Sequence, residues 1–248
     1  MSLSSNSLIH FTSDKDNLKG ILEDNFKIYN CRETIVLGGK GASWIIPMVS
    51  FCDIPLSKIK DHISKYGSYG VGMTKEWAIR QGLNPVLYMA QTSMLSENYR
   101  KLWNFNIPKF GPDGIGWDDN QKGFTDVIRY FKNYEGELKR KGKTTKDYRF
   151  SDEREWRFVP PFSENCEFLM SDGWYSESNN KKESDEKLLE MRLKFEPADI
   201  KYIIIDNDTE IGEFIDHLRR AKGKNFSLHE IERLTTRILT VEQIKSDI

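Results

Sequence analysis

The run Tyr202-Ile203-Ile204-Ile205 constrains this chain more than any other feature. An aromatic and three β-branched side chains in a row, stopped by Asp206, fit a strand buried on both faces. The pattern then switches to a helical one. Asp208 or Thr209 can cap a helix carrying Ile211, Phe214, Ile215 and Leu218 on one face. Ser227-Leu228-His229-Glu230 and Thr240-Val241-Glu242-Gln243 both have capping-box spacing. Phe214, Leu218, Ile231, Leu234 and Ile238 all need cover. Residues 206–248 therefore read as a C-terminal helical extension on an α+β body of residues 1–205.

Within that body, Leu8-Ile9-His10-Phe11-Thr12 reads as a short strand. Ser13 is the expected N-cap of a helix with Asp14 and Asp16 in its first turn, where negative charge is favourable. Gly38, Gly39 and Gly41 make a flexible turn ahead of Trp44-Ile45-Ile46-Pro47-Met48-Val49-Ser50-Phe51-Cys52. That stretch is apolar enough for a buried strand, with Pro47 at a bulge or at its start. Residues 54–66 keep a helical period after Pro55. The Gly-rich Tyr66-Gly67-Ser68-Tyr69-Gly70-Val71-Gly72 is a loop feeding a strand, and Thr74 starts a helix with Trp77 and Ala78 inside. Residues 86–90 predict a strand and residues 110–120 a turn-rich segment. Phe124, Val127, Ile128 and Phe131 predict a helix. Residues 154–159 predict a strand closed by Pro160-Pro161. Residues 176–187 are polar and of low complexity, which predicts a mobile hairpin loop before a strand at 188–195. The expected fold is α+β: a mostly antiparallel central sheet split into two halves, with flanking helices.

Composition narrows the function. Lys+Arg is 37 and Asp+Glu is 38, a net charge of -1, which argues against a chain built mainly to coat nucleic acid. No apolar run approaches the roughly 18 residues of a membrane span. No apolar segment of the secretory kind follows Met1. Cys31, Cys52 and Cys166 are too scattered for a disulfide framework or a zinc site, and His10, His62, His217 and His229 lack metal-like spacing. The expectation is a cytoplasmic protein with no metal and no membrane contact. The P-loop, dinucleotide-binding, HExxH and nucleophile-elbow patterns are absent.

Four clusters carry chemical possibilities. His10 and Thr12 alternate onto one side of a strand end, and either meet a ligand or cap and pack there. Tyr66 and Tyr69, among three glycines, either stack on a planar ring or pack in a tight connection. In Asp152-Glu153-Arg154-Glu155-Trp156-Arg157, alternation puts Glu153, Glu155 and Arg157 on one face, with Arg154, Trp156 and Phe158 on the other. Glu155 then either pairs with Arg157 or stabilises positive charge developing on a substrate. Lys139, Arg140, Lys141, Lys143 and Lys146 form either a solvated loop or a contact for an anionic ligand or nucleic acid.

Taken in order, several stretches resemble AbiGi, a family of abortive phage-resistance proteins. They are Leu8-Ile9-His10-Phe11-Thr12, Pro47-Met48-Val49-Ser50-Phe51-Cys52-Asp53-Ile54-Pro55-Leu56, Tyr66-Gly67-Ser68-Tyr69-Gly70-Val71-Gly72-Met73-Thr74-Lys75-Glu76-Trp77, Asn84-Pro85-Val86-Leu87-Tyr88 and Asp152-Glu153-Arg154-Glu155-Trp156-Arg157. The resemblance runs over residues 8–205. It implies an antitoxin-type component of a two-gene system, with a protein partner: a toxin similar to nucleotidyltransferases. Nucleic acid is not expected as the primary partner. The order His, Tyr, Glu is similar, more weakly, to ADP-ribosyltransferases. That resemblance implies NAD as cofactor. His10, beside Thr12, would bind a ribose hydroxyl and Tyr66 or Tyr69 would stack on nicotinamide. Glu155, or else Glu153, would hold the nicotinamide ribose while an oxocarbenium-like state forms. The site would lie in the cleft between the halves of the sheet. The strand Gly70-Val71-Gly72-Met73-Thr74 departs from that pattern in having no Tyr.

Overall fold

The computed structural model describes residues 5–106, 117–140, 142–163 and 166–247. In chain order its elements are β1 (Ser7–Thr12), α1 (Lys15–Asp24), β2 (Phe26–Lys27), β3 (Tyr29–Leu37), β4 (Lys40–Cys52), α2 (Lys60–Tyr66), β5 (Tyr69–Thr74), α3 (Lys75–Arg80), β6 (Asn84–Pro85), β7 (Leu87–Met89) and α4 (Met94–Asn106). There follow α5 (Asp119–Arg129), β8 (Phe131–Asn133), β9 (Gly136–Arg140), β10 (Lys143–Tyr148), β11 (Glu155–Phe158), β12 (Met170–Ser171), α6 (Asp172–Ser176) and α7 (Ser178–Lys187). The chain closes with β13 (Arg192–Leu193), β14 (Ile200–Ile205), α8 (Ile211–Lys222), α9 (Leu228–Thr235), β15 (Ile238–Thr240) and α10 (Val241–Asp247). The architecture is mixed α and β with mostly antiparallel pairing. The chain divides into two compact units, one of Met1–Lys27, Ser50–Leu83 and Arg192–Ile248, the other of Ile28–Val49 and Asn84–Met191.

In the first unit the strands run β15-β14-β5-β1, followed by the end of β4. Ile203, Ile204 and Ile205 are fully buried, as their apolar run requires. β5 pairs along the whole of β1, from Ser7 opposite Thr74 to Thr12 opposite Tyr69. Asp14, not Ser13, caps α1. Its carboxylate accepts from the backbone N–H of Asp16 at 2.7 Å and of Asn17 at 3.2 Å, and it is the last extended residue before the helix. The capping boxes expected at Ser227–Glu230 and Thr240–Gln243 both form. Residues 206–248 are nevertheless not helical throughout. Ile238-Leu239-Thr240 form β15, parallel to β14, because a short stretch with β-branched Ile238 and Thr240 covers the β14 edge. With that strand in its sheet, the C-terminal segment is part of the first unit.

In the second unit β3 and β4 form a long hairpin in which Leu37 faces Lys40. Gly38 (φ +55°) and Gly39 (φ +72°) make its two-residue turn. Positive φ at both positions matches the twist of the strands and needs glycine. Pro47 sits inside β4 opposite Asn30, neither at its start nor at a shift in register. Ile35, Ile46, Met48, Trp103, Ile128, Phe131 and Phe168 share the core. Asp118 and Gln121 form a capping box at the start of α5, and Phe131 opens β8 instead of continuing that helix. Of the turn-rich segment expected at 110–120, residues 110–116 lie outside the described residues. Residues 178–187 are the helix α7, not a hairpin loop. It is polar all round and is supported by the i,i+4 pairs Lys182–Glu186 and Glu183–Lys187. Of residues 188–195 only Arg192 and Leu193 pair as a strand, and that strand belongs to the first unit, against β2.

Candidate functional site

β11 fixes the geometry of the most charged interior. Its alternation buries Glu155 and Arg157 and leaves Trp156 and Phe158 half-buried, so the ionic face points inward. Arg154 takes a left-handed conformation (φ +47°), closing the 3-10 turn that precedes the strand. Glu153 therefore lies in the preceding 3-10 turn and off the strand face expected for it, where it accepts from the Tyr148 hydroxyl at 3.0 Å. Arg157 Nε donates to Glu155 Oε1 at 2.6 Å, and its Nη1 donates to the Arg129 carbonyl at 3.0 Å. Its Nη2 lies 3.2 Å from Glu33 Oε2. Lys132 Nζ is 3.2 Å from both oxygens of Glu33 and 3.5 Å from Glu155 Oε2.

Two carboxylates and two cations thus compensate one another where a lone charge would be costly. Burial opposes the charge on Arg157, yet Glu155 and Glu33 outweigh it and hold the guanidinium well above its ordinary pKa. The same balance raises Lys132. Burial, helped by Glu33, pushes the Cys31 thiol up to about 11, so it is not a ready thiolate nucleophile. Glu33, Lys132 and Tyr88, whose hydroxyl accepts from the Glu155 backbone N–H at 2.9 Å, were not among the residues that the sequence singled out. For Glu33 a signal existed: Cys31, Glu33, Ile35 and Leu37 alternate onto one side of β3, the side on which Ile35 and Leu37 are buried.

His10, Thr12, Tyr66 and Tyr69 lie in the first unit. His10 Nδ1 donates to the Ser50 carbonyl at 2.8 Å, and its ring meets Phe26 and Phe51 at 5.4 and 5.6 Å. Burial lowers its pKa below the ordinary imidazole value, partly opposed by the Ser50 bond. Thr12 Oγ1 accepts from the Asp14 backbone N–H and from the Asn17 amide, both at 3.4 Å. Tyr66 stacks on His62. Tyr69 donates to Glu210 Oε1 at 3.0 Å, and burial followed by that bond pushes its hydroxyl up to about 12. The same unit holds a cleft of about 410 Å³, lined by Asp206, Asn207, Thr209, Val241, Glu242 and Lys245, none of which the sequence had marked as a site residue. Among the described residues no cluster of His, Cys, Asp and Glu could hold a metal, and no helix is long and apolar enough to cross a membrane.

The helix α4 of the second unit presents a different kind of site. Its inner face is firmly anchored. Trp103 packs edge-on against Trp44 at 4.9 Å, Ser96 Oγ accepts from the Gly38 backbone N–H at 2.8 Å, and the Tyr99 hydroxyl donates to the Phe124 carbonyl. The opposite face carries Met94 (77% exposed), Leu95 (65%), Leu102 (53%) and Phe105 (68%). At 100° per residue these four fall within about 100° of one another, one apolar stripe facing outward.

A family model described as "Putative abortive phage resistance protein AbiGi, antitoxin" matches residues 24–206, about three quarters of the chain. The chain belongs to the AbiGi family. A protein of Lactococcus lactis subsp. cremoris named "Abortive phage resistance protein AbiGi" is 30% identical over 224 aligned positions, covering 82% of this chain and 89% of the relative. No solved structure matches. The AbiGi match includes Glu33, Lys132, Glu153, Glu155 and Arg157, both tyrosines and all of α4; His10 and Thr12 lie before it.

Proposed function

We propose that this chain is the antitoxin of an abortive-infection phage-defence pair, and that it binds and restrains a nucleotidyltransferase-like toxin in the cytoplasm. The observation that carries the reading is the AbiGi antitoxin match across residues 24–206. The fold supplies a surface suited to it. α4 is held from inside by Trp103, Ser96 and Tyr99 while Met94, Leu95 and Leu102 face outward. An ordered helix with an exposed apolar stripe suits a groove on a protein partner. The occupant assigned to it is the toxin, the partner that an antitoxin must meet.

The test is co-expression with the toxin gene of the same pair, reading both growth and co-purification. The wild type is expected to relieve growth arrest and to carry the toxin through purification. Leu95→Asp/Leu102→Asp, with unchanged circular dichroism, is expected to lose both. No complex and no change in toxicity with the wild type would overturn the reading.

The NAD-dependent reading, on a split sheet of the ADP-ribosyltransferase kind, ranks second. It would assign His10, Thr12, Tyr66 and Tyr69 to the cofactor and Glu155 or Glu153 to catalysis. Both oxygens of Glu155 face cations, and Glu153 accepts from Tyr148. Incubation with labelled NAD and cell lysate addresses it: labelling by the wild type that Glu155→Ala abolishes would bring it forward.

A further inference from the structure

The basic stretch at 139–146 is not the solvated loop allowed by sequence. It forms the antiparallel ribbon β9–β10, in which Lys143 faces Arg140, Thr144 faces Lys139 and Thr145 faces Leu138. Lys141 lies outside the described residues. The ribbon is fixed at its base, where Gln91 Nε2 donates to the Glu135 carbonyl at 2.8 Å and Tyr148 meets Glu153 and Phe150. Beyond the base little covers it, and Leu138 is half-buried. Glu137, Lys139 and every residue from Lys143 to Asp147 are exposed, on both faces of the ribbon.

Such an arrangement is costly for the protein alone. A two-stranded ribbon with so little cover is marginal in water. Lys139 has one ion pair, with Glu137 on its own strand at 2.8 Å. Among the described residues Lys143 and Lys146 have none. Residues 139–146 hold five cations and no acid in a chain whose net charge is -1.

We infer that this ribbon is an arm that docks on duplex DNA. The dimensions agree: paired strands lie about 4.8 Å apart, and the major groove of B-form DNA, about 12 Å wide, admits a two-stranded ribbon. Lys139, Lys143 and Lys146 would neutralise phosphates, and Thr144 and Thr145 supply hydroxyl donors for phosphates or base edges. The deep, narrow major groove of duplex RNA does not admit a ribbon. The arm is distinct from the α4 stripe, so DNA docking goes beyond the antitoxin reading and does not depend on it.

The experiment is fluorescence anisotropy of the full chain with a labelled 20-base-pair DNA duplex, titrated at several salt concentrations. The wild type is expected to bind in the micromolar range at about 0.1 M salt, as sequence-independent phosphate contacts do. Affinity should fall with salt at a log–log slope of about -3 or steeper. Lys139→Gln/Lys143→Gln/Lys146→Gln is expected to bind at least tenfold more weakly and with a slope shallower by about three. Its circular dichroism and toxin co-purification should be unchanged, which separates a failure here from a failure of the antitoxin reading. Absent binding at 50 mM salt, undiminished binding by the triple variant, or duplex RNA bound as tightly as DNA would each overturn the inference. Competition by polyglutamate as effective as by DNA would also overturn it and reassign the arm to an acidic protein surface.

Discussion

His10 donates through Nδ1 to the Ser50 carbonyl, and burial holds its pKa below the ordinary value of 6.5. Below that ordinary value the unfolded chain binds the proton more readily than the folded one, so acid favours unfolding. The contribution of His10 is complete above pH 6.5 and is lost as pH falls through that value. Going from pH 7.5 to 5.5, the wild type should lose more thermal stability than His10→Asn, whose amide nitrogen can replace Nδ1 but does not titrate; equal losses would remove His10 from the acid response. Arg157 permits a sharper test. Arg157→Met leaves the half-buried carboxylate of Glu33 and the buried one of Glu155 with Lys132 alone, and should cost about 3–5 kcal/mol in urea denaturation. Adding Glu155→Leu should restore most of that loss, because one carboxylate then meets one ammonium. The pairing of Glu155 with Arg157 was legible from alternation alone. Lys132 was not: it reaches the cluster through the pairing of β8 with β7, 44 positions apart at Leu87 and Phe131, which no local pattern encodes.

At the scale of elements, the close approach after α2 makes the clearest prediction. Gly67 has φ +125°, and a Cβ there would lie 2.3 Å from the Thr12 carbonyl oxygen and 2.4 Å from the Ser13 Cα. Neither backbone atom can yield without moving the end of β1. Gly67→Ala should therefore lower the urea midpoint by the equivalent of about 1–3 kcal/mol. Gly20→Ala, inside α1 with nothing within 4 Å, should raise it by about 0.4–1 kcal/mol. The same contrast explains which elements were readable. Turns and caps carry their chemistry in a few adjacent residues, so the Gly38-Gly39 turn and the Ser227–Glu230 box stand out in the sequence. α7 does not. It has no apolar stripe, and what marks it as a helix is charge pairing at i,i+4, which a polar loop can imitate. The β9–β10 ribbon was hidden for a related reason, since neither face is buried and no period-two hydrophobic pattern arises.

At the scale of the whole molecule, the first unit is assembled from three separate segments and the second from two. A sequence boundary at residue 205 follows the change from strand to helix pattern, but the β14 edge and the core beneath it are closed by what comes after. Phe214, Leu218, Ile231, Leu234, Val241 and Ile244 are all buried in the first unit. Val241 and Ile244 pack with Ile9, Ile54, Ile59 and Ile63 from the other two segments and with Ile204 of β14. At about 1.5–3 kcal/mol for each buried side chain, these six together match or exceed the 5–15 kcal/mol by which a typical domain is stable. Residues 1–205 expressed alone should therefore lack a cooperative first unit. The expected readout is a fragment that aggregates, or that melts without a sharp transition while amide protons of β5 and β14 exchange rapidly. A monomeric fragment melting cooperatively within a few degrees of the full chain would show the C-terminal segment to be dispensable. In that case β15 would be an ornament on the sheet edge, and the six buried side chains would contribute far less than their burial implies.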